Sequence, residues 1–318
     1  MSTVSVEGGL KRTWNSQGPI VECVPNFSEG THPDVVRKIV LAMRVPGVSL
    51  LDWSLDPDHN RSVVTIAGEP QAIVEAAVRG VGQAVELIDL TLQQGVHPRI
   101  GAADVVPLVP IHGISLPEVA LLAHRVGQEI WKRYDVPVYF YEAAATRPDR
   151  AMLENIRHGQ FEGLRKESAG NPARRPDVGG PSLHPTAGAC AVGARQLLIA
   201  CNVYLNTPNV GIARAVAREV RASGGGLTGV KAIGVSVKGR AQVSMNITNF
   251  RATPIHVVYA AVKKAALHAG AQPERIELIG LVPEAALEPG GEWMQLAPGF
   301  HPAERALERR LEAPLMWP

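Results

Sequence analysis

The densest group of chemically useful side chains lies between Gly95 and Asp104, which reads Gly-Val-His-Pro-Arg-Ile-Gly-Ala-Ala-Asp. Within eight residues it offers the imidazole of His97, the guanidinium of Arg99 and the carboxylate of Asp104. Pro98 disfavours the helical region for His97 and so fixes the starting direction of its ring. An imidazole can give and take a proton near neutrality, because its unperturbed pKa is about 6.5. Proton transfer is the chemistry such a loop would serve; a histidine that merely caps the loop is the plainer alternative. A second cluster holds Asp52, Asp56, Asp58, His59, Asn60 and Arg61. Its carboxylates could bind a cation or a substrate amine, or Asp58 and Asn60 could simply shape a solvated turn. A third runs from Asp177 to Gly188 as Asp-Val-Gly-Gly-Pro-Ser-Leu-His-Pro-Thr-Ala-Gly. So little bulk would let backbone amides approach a ligand, and a domain linker would look the same.

Other chemistries lack their motifs. The chain has no G-x-S-x-G elbow, no G-x-x-x-x-G-K-[ST] phosphate loop and no H-E-x-x-H helix. Its ten histidines show no metal-ligand spacing, so no metal is expected. Gly179-Gly180 and Gly224 to Gly226 do not match a dinucleotide fingerprint after a strand. Lys plus Arg is 32 against 30 for Asp plus Glu, a net charge of +2. That balance gives no electrostatic reason to expect nucleic acid or an acidic membrane as partner. Cys23, Cys190 and Cys201 are odd in number and form no C-x-x-C pair, so buried thiols are expected rather than a disulfide framework. No apolar run approaches the ~18 residues of a membrane span, and Met1 to Gly18 lacks the apolar centre of a secretory signal. A cytoplasmic protein is the expectation.

Positioning these residues falls to an alternating pattern of elements. Ile20–Val24 reads as a buried strand, and Thr31 as the cap of a helix whose face is Val35, Val36, Ile39, Val40 and Met43. Strands follow over 48–53 and 62–67, a helix over about 70–87, a strand over 105–111, a helix over 116–133 and a strand over 136–142. Pro107 and Pro110 predict an edge or a bulge for the 105–111 strand, because proline cannot donate to a ladder. Residues 144–185 read as a linker with a short helix near 151–157. The pattern then repeats: strand 197–205, helix 212–223, a hairpin of 231–237 and 241–248 around Lys238-Gly239-Arg240, helix 254–268 and strand 276–282. The fold class predicted is α/β of the α+β kind, with two ferredoxin-like subdomains, each a mixed sheet with helices on one face. The predicted division is a flexible arm over 1–18, subdomains over 19–178 and 179–290, and a tail over 291–318 with one helix from Pro302 to about Leu311.

Several stretches are long and compositionally odd. They are Val21-Glu22-Cys23-Val24-Pro25-Asn26-Phe27-Ser28-Glu29-Gly30, Asp58-His59-Asn60-Arg61-Ser62-Val63-Val64-Thr65 and His97-Pro98-Arg99-Ile100-Gly101-Ala102. Further matches are Pro137 to Ala144, Gly159-Gln160-Phe161-Glu162-Gly163-Leu164, Leu183-His184-Pro185-Thr186-Ala187-Gly188, Gln242-Val243-Ser244-Met245-Asn246 and Gly280-Leu281-Val282-Pro283. Together these stretches resemble the glutamate formiminotransferase family, in order from about residue 19 to residue 287.

The resemblance implies two α/β subdomains, a homodimer, and transfer of a formimino group from N-formimino-L-glutamate to N5 of tetrahydrofolate. Tetrahydrofolate would be a co-substrate, and no metal would take part. His97 falls on the family's catalytic acid/base. Gly179, Gly180, Pro181, Ser182, Leu183, His184, Pro185, Thr186, Ala187 and Gly188 fall on its folate-contacting segment. Asn60, Arg61, Arg99 and Asp104 are further candidates for substrate binding, with Arg61 and Arg99 both open as partners of a glutamate carboxylate. The chain departs from the family at Val96, where Glu usually precedes the histidine, and at Ser54, where a second Asp is usual. Those departures leave two other readings open: a related folate-dependent formyl or formimino transferase with another donor, and a silent folate-binding module. The residues after 287 are too few for the cyclodeaminase domain of bifunctional relatives, so a separate enzyme is expected to finish that step.

Overall fold

The computed structural model describes residues 18–95 and 97–318. The arm expected over 1–18 lies outside the described residues apart from Gly18, and so does Val96. The described chain divides between Arg195 and Gln196: residues 18–195, joined by Pro314–Pro318, form one unit, and Gln196–Ala313 the other.

The first unit begins with β1 (Ile20–Cys23) and β2 (Asn26–Phe27), then α1 (Pro33–Ala42), β3 (Val48–Asp56), β4 (Arg61–Gly68), α2 (Pro70–Leu87) and β5 (Ala103–His112). β1 and β2 both pair antiparallel with β4 and with β5, and β3 flanks β4. That is the split β-α-β order expected. Helix α3 (Leu116–Tyr134) then leads to β6 (Val138–Glu142), and β7 (Cys190–Ala194) inserts parallel between β5 and β6. The insertion carries the first sheet to seven strands. It also moves the boundary expected near residue 178, because β7 is fully buried in this sheet.

The prolines of β5 do not put it on an edge. It is an interior strand, with β1 and β2 on one side and β7 on the other. Val24 donates its N–H to the Pro107 carbonyl, 3.1 Å, but Pro107 has no N–H to return. The Asn26 Nδ2 takes the stranded Val24 carbonyl instead, 2.7 Å, which satisfies a group that burial would otherwise penalise. Pro110 sits at a register shift opposite β1, the bulge expected of it.

Residues 144–185 are also more than a linker. They hold α4 (Leu153–Arg157) and α5 (Gln160–Glu167) and bury Ile156, Phe161 and Leu164 in the first core. Arg150, almost wholly buried, pairs with Asp177 at 2.6 Å. The cap of α1 is His32 rather than Thr31, and the Glu29 carboxylate accepts both N–H groups, 2.7 and 2.9 Å.

The second unit runs β8 (Ile199–Leu205), α6 (Val210–Val220), β9 (Val230–Val237), β10 (Arg240–Ile247), α7 (Ile255–His268) and β11 (Pro273–Ile279). Its sheet has the order β11-β8-β10-β9, as the ferredoxin-like type requires, but every pairing is antiparallel rather than mixed. Lys238 and Gly239 both take positive φ, 49° and 74°, which suits a tight hairpin between twisted strands. The last stretch forms α8 (Glu292–Gln295), α9 (Pro302–Arg305) and α10 (Leu307–Glu312). The single helix expected there is broken at Ala306, where the Val282 backbone bonds to Arg305 and Leu307. Beyond it, Leu315 donates to the Leu50 carbonyl of β3, 2.8 Å. Among the described residues no helix is long and apolar enough to cross a membrane, and the three cysteines are buried free thiols.

Candidate active site

Three neighbouring strands set the first side chains. Asn26 on β2 lies beside β4 and β5, opposite Val63 and Val105, so Arg61 at the start of β4 and Asp104 in β5 converge on it. The loop carrying His97 is clamped from two sides. Ser28 donates its N–H to the Ala102 carbonyl, 2.9 Å, and its hydroxyl to the Gly101 carbonyl, 2.7 Å. On the other side Ala102 donates to Ala187, and Ala189 to Ile100, each at 2.9 Å. Only glycine fits at 101, since a Cβ there would lie 1.9 Å from the Ala189 carbonyl oxygen. Within the loop, Asp104 Oδ1 accepts the Ile100 N–H, 2.9 Å.

These constraints produce one charged network. Arg61 donates from Nε and Nη2 to Asn26 Oδ1, 2.9 and 2.6 Å. Its Nη1 reaches Asp104 Oδ2 at 3.0 Å and His97 Nδ1 at 2.7 Å. Arg157, at the end of α4, donates to the same Asp104 oxygen. Asp104 is 1% exposed. Two guanidiniums thus share one carboxylate, and an excess positive charge faces the imidazole. Burial first, then Arg61 and Arg157, hold the His97 pKa far below its usual value, so the ring is neutral at rest. Burial and Arg157 pull Arg61 down to about 10, which leaves it charged at neutral pH.

His97 Nδ1 also lies 2.7 Å from the Pro98 carbonyl. One nitrogen cannot accept from Arg61 and donate to Pro98 at once. With the proton on Nδ1 it bonds to Pro98 and leaves Nε2 free as a base; with the proton on Nε2 it accepts from Arg61. The site therefore holds two tautomers in competition, and a ligand carboxylate that engages Arg61 favours the basic one.

Arg99 is bound elsewhere. It makes a forked pair with Glu162, 3.0 and 3.3 Å, and donates to the Gln93 side chain at 2.6 Å and to its carbonyl at 2.9 Å. It is 8% exposed and ties the His97 loop to α5. Asn60, at φ 47°, accepts the Gly30 N–H at 2.9 Å and donates to the Gln94 carbonyl at 2.7 Å. It shapes the turn that presents its neighbours. His59 Nδ1 bonds Asp56 Oδ2 at 2.7 Å, and its ring centroid lies 6.3 Å from that of His97. Ser54 lies in β3 opposite Val63, and Asp52 opposite Thr65.

The segment Gly179–Gly188 divides in two. Gly179, Gly180, Pro181 and Ser182 are exposed; Gly179 adopts φ 75°, where a Cβ would strike Trp131. Leu183, Ala187 and Gly188 are buried. His184 and Gly188 exchange backbone hydrogen bonds, and His184 Nδ1 accepts the Ala187 N–H, 3.0 Å. Gly188 bridges to Gly101, so this tight hairpin forms one wall of the His97 loop.

Sequence reasoning missed Arg157, Asn26 and Glu162 as members of the site. Asn26 and Glu162 stand inside the quoted Pro-Asn-Phe-Ser-Glu-Gly and Gly-Gln-Phe-Glu-Gly-Leu stretches, which carried the signal. Arg157 had no local signal, because it is one arginine in a charged segment.

The model of the formiminotransferase domain, N-terminal subdomain, matches residues 20–195, and that of the formiminotransferase domain matches residues 200–299. The chain is 43% identical over 295 residues to a glutamate formimidoyltransferase of Streptococcus pyogenes, covering 92% of this chain and 98% of that one. It is also 43% identical over 298 residues to a glutamate formimidoyltransferase of Thermoplasma acidophilum, covering 92% and 97%. A formimidoyltransferase-cyclodeaminase of Rattus norvegicus is 39% identical over 277 residues, which is 84% of this chain but 51% of that protein. The chain belongs to the formiminotransferase domain family.

Proposed function

We propose that this chain transfers a formimino group from N-formimino-L-glutamate to N5 of tetrahydrofolate, giving 5-formiminotetrahydrofolate and glutamate. The observation that carries the reading is a neutral histidine, His97, held by a positively charged Arg61–Asp104–Arg157 cluster, in a chain of this family. The positive excess suits a donor with two carboxylates. Arg61 is the better partner for one of them, because its Nη1 stands 2.7 Å from His97 Nδ1 and could exchange that bond for a carboxylate, whereas Arg99 is forked to Glu162. A carboxylate on Arg61 would free His97 Nδ1 to bond Pro98 and expose a basic Nε2.

The chemistry then follows from proximity and proton transfer. Attack by N5 on the formimino carbon gives a tetrahedral adduct, and bound side by side the two substrates react as one molecule. The attacking nitrogen must lose a proton and the departing glutamate nitrogen must gain one; His97 would accept the first on Nε2 and return it to the second as the carbon–nitrogen bond to glutamate breaks. We assign the folate to Gly179–Gly188, whose first residues expose backbone and whose last residues wall the His97 loop. The working form is taken as a cytoplasmic homodimer, as the family resemblance implies.

A single-turnover assay with formiminoglutamate and tetrahydrofolate tests this. Purified protein is expected to form 5-formiminotetrahydrofolate, and His97→Ala to lose about 100-fold or more of that rate. Equal rates in both proteins would remove His97 from its role. Folate binding without product would move the reading to another donor or to a silent binding module.

A further inference from the structure

The cluster beside His97 holds more positive charge than its own carboxylate balances. Among the described residues Asp104 is the one carboxylate bonded to Arg61 or Arg157, and both guanidiniums meet on its Oδ2. Its Oδ1 is occupied by the Ile100 N–H. The two arginines differ in the donors they have left. Arg61 commits Nε and Nη2 to Asn26, and Nη1 to Asp104 and His97. Arg157 commits only Nη2, to Asp104. Its Nε is buried with no hydrogen-bond partner. A charged donor shut away from water and left unpaired is unfavourable, and an anionic ligand would remove that imbalance. The Arg157 side chain is 16% exposed, so an edge of it stays open to such a ligand.

Arg157 is also not needed to finish its own helix. A basic side chain at a helix C-terminus often turns back onto the last carbonyls. At the end of α4 those carbonyls have another donor: Arg174 bonds Asn155 at 2.9 Å and also reaches His158. Ile156 anchors the same turn in the first core. The backbone that carries Arg157 is thus fixed by its neighbours, and the guanidinium is left to the site.

We propose that Arg157 binds the γ-carboxylate of the formimino donor and so selects a glutamate donor over a glutamine one. The proposal rests on the transferase reading given above, in which Arg61 takes one donor carboxylate. That one is the α-carboxylate. It is attached to the carbon bearing the reacting nitrogen, so it must lie beside His97, and Arg61 is the guanidinium that touches His97. The spacing agrees. Two nitrogens that each bond one oxygen at about 3 Å stand no more than about 6 Å apart. The carboxyl carbons of glutamate are four carbon–carbon bonds apart, about 5 Å when extended. The carboxylates of the folate do not compete for this place, because the p-aminobenzoyl group separates them from N5, and N5 must reach the same carbon beside His97.

Donor discrimination tests it. N-formimino-L-glutamine differs from N-formimino-L-glutamate only in carrying an amide for the γ-carboxylate. The wild-type kcat/KM is expected to favour the glutamate donor about 10- to 100-fold. Arg157→Gln should bring that ratio near 1, through the KM of the donor and not that of tetrahydrofolate. The ratio compares two donors on one preparation, so loss of folded protein cancels, and a merely structural Arg157 would leave it unmoved. Arg157→Gln keeps a balanced Arg61–Asp104 pair. Arg157→Lys keeps the charge but loses the fork, and its ratio should fall between the other two. A ratio unchanged in both variants, a wild type that uses both donors equally, or a matching rise in the KM of tetrahydrofolate would overturn the assignment. Binding of N-acetyl-L-glutamate against N-acetyl-L-glutamine, measured on the same proteins, requires no transfer. A wild-type protein that discriminates between these two through Arg157, yet transfers nothing, would keep this assignment and sink the transferase reading alone.

Discussion

Asp104→Asn should destabilise the first unit while leaving its shape intact. Asparagine has the same outline, and its Oδ1 can still accept the Ile100 N–H now bound at 2.9 Å. What disappears is the one negative charge between Arg61 and Arg157, replaced by an amide group that points donors at donors. Asp104 is 1% exposed, and its partners' side chains are 15% and 16% exposed. Breaking a buried pair leaves uncompensated charge and costs about 3–5 kcal/mol. Because both guanidiniums retain an edge of solvent, the lower end, about 3 kcal/mol, is expected. Amide hydrogen exchange at β4 and β5 is the right assay, since it reads this sheet separately from the other unit. Adding Arg157→Gln should recover most of the loss, so that the double variant lies within about 1 kcal/mol of Arg157→Gln alone. A loss below about 1 kcal/mol for Asp104→Asn, or no recovery in the double variant, would show that the three groups are not electrostatically coupled.

The low pKa of His97 carries a stability signature. The unfolded chain binds a proton near pH 6.5 while the folded ring resists it, so stability falls as pH drops below about 6.5, by at most about 1.4 kcal/mol per pH unit. His97→Gln should flatten that slope in urea titrations between pH 6.5 and 4.5; parallel slopes would refute it. Gly101→Ala should cost more than about 3 kcal/mol or prevent folding, because its Cβ meets the Ala189 carbonyl oxygen at 1.9 Å, and a thermal melt near that of the parent would contradict this. Arg99→Lys loses the fork to Glu162 and should slow turnover by loosening the His97 loop; Glu162→Gln should do the same in the transfer assay, and a normal rate in both would make the pair dispensable.

Much of the site was legible because family signatures are local. The His97-Pro98-Arg99 and Asp58-His59-Asn60-Arg61 stretches marked the loops that meet, and the repeated strand and helix periods marked two ferredoxin-like units. What local pattern could not show was pairing across long separations. Pro107 and Pro110 argued for an edge, yet β5 is interior because Asn26 supplies the missing donor to Val24. Residues 144–185 looked like a linker because their apolar residues are sparse, and Ile156, Phe161 and Leu164 bury only once the sheet is in place. Arg61 and Arg99 were equivalent on paper; only the structure puts Arg61 beside His97 and Arg99 on Glu162, 63 residues away.

The sequence by itself determined the family, most of the element order and the candidate imidazole, since each is written in short-range periodicity or in a contiguous motif. Only the tertiary structure decided that β7 belongs to the first sheet, that Arg157 joins Arg61 on Asp104, and that His59 faces His97. The physical reason is that charge balance around a buried group depends on which side chains converge in space, and convergence across tens of residues leaves no mark on the local pattern.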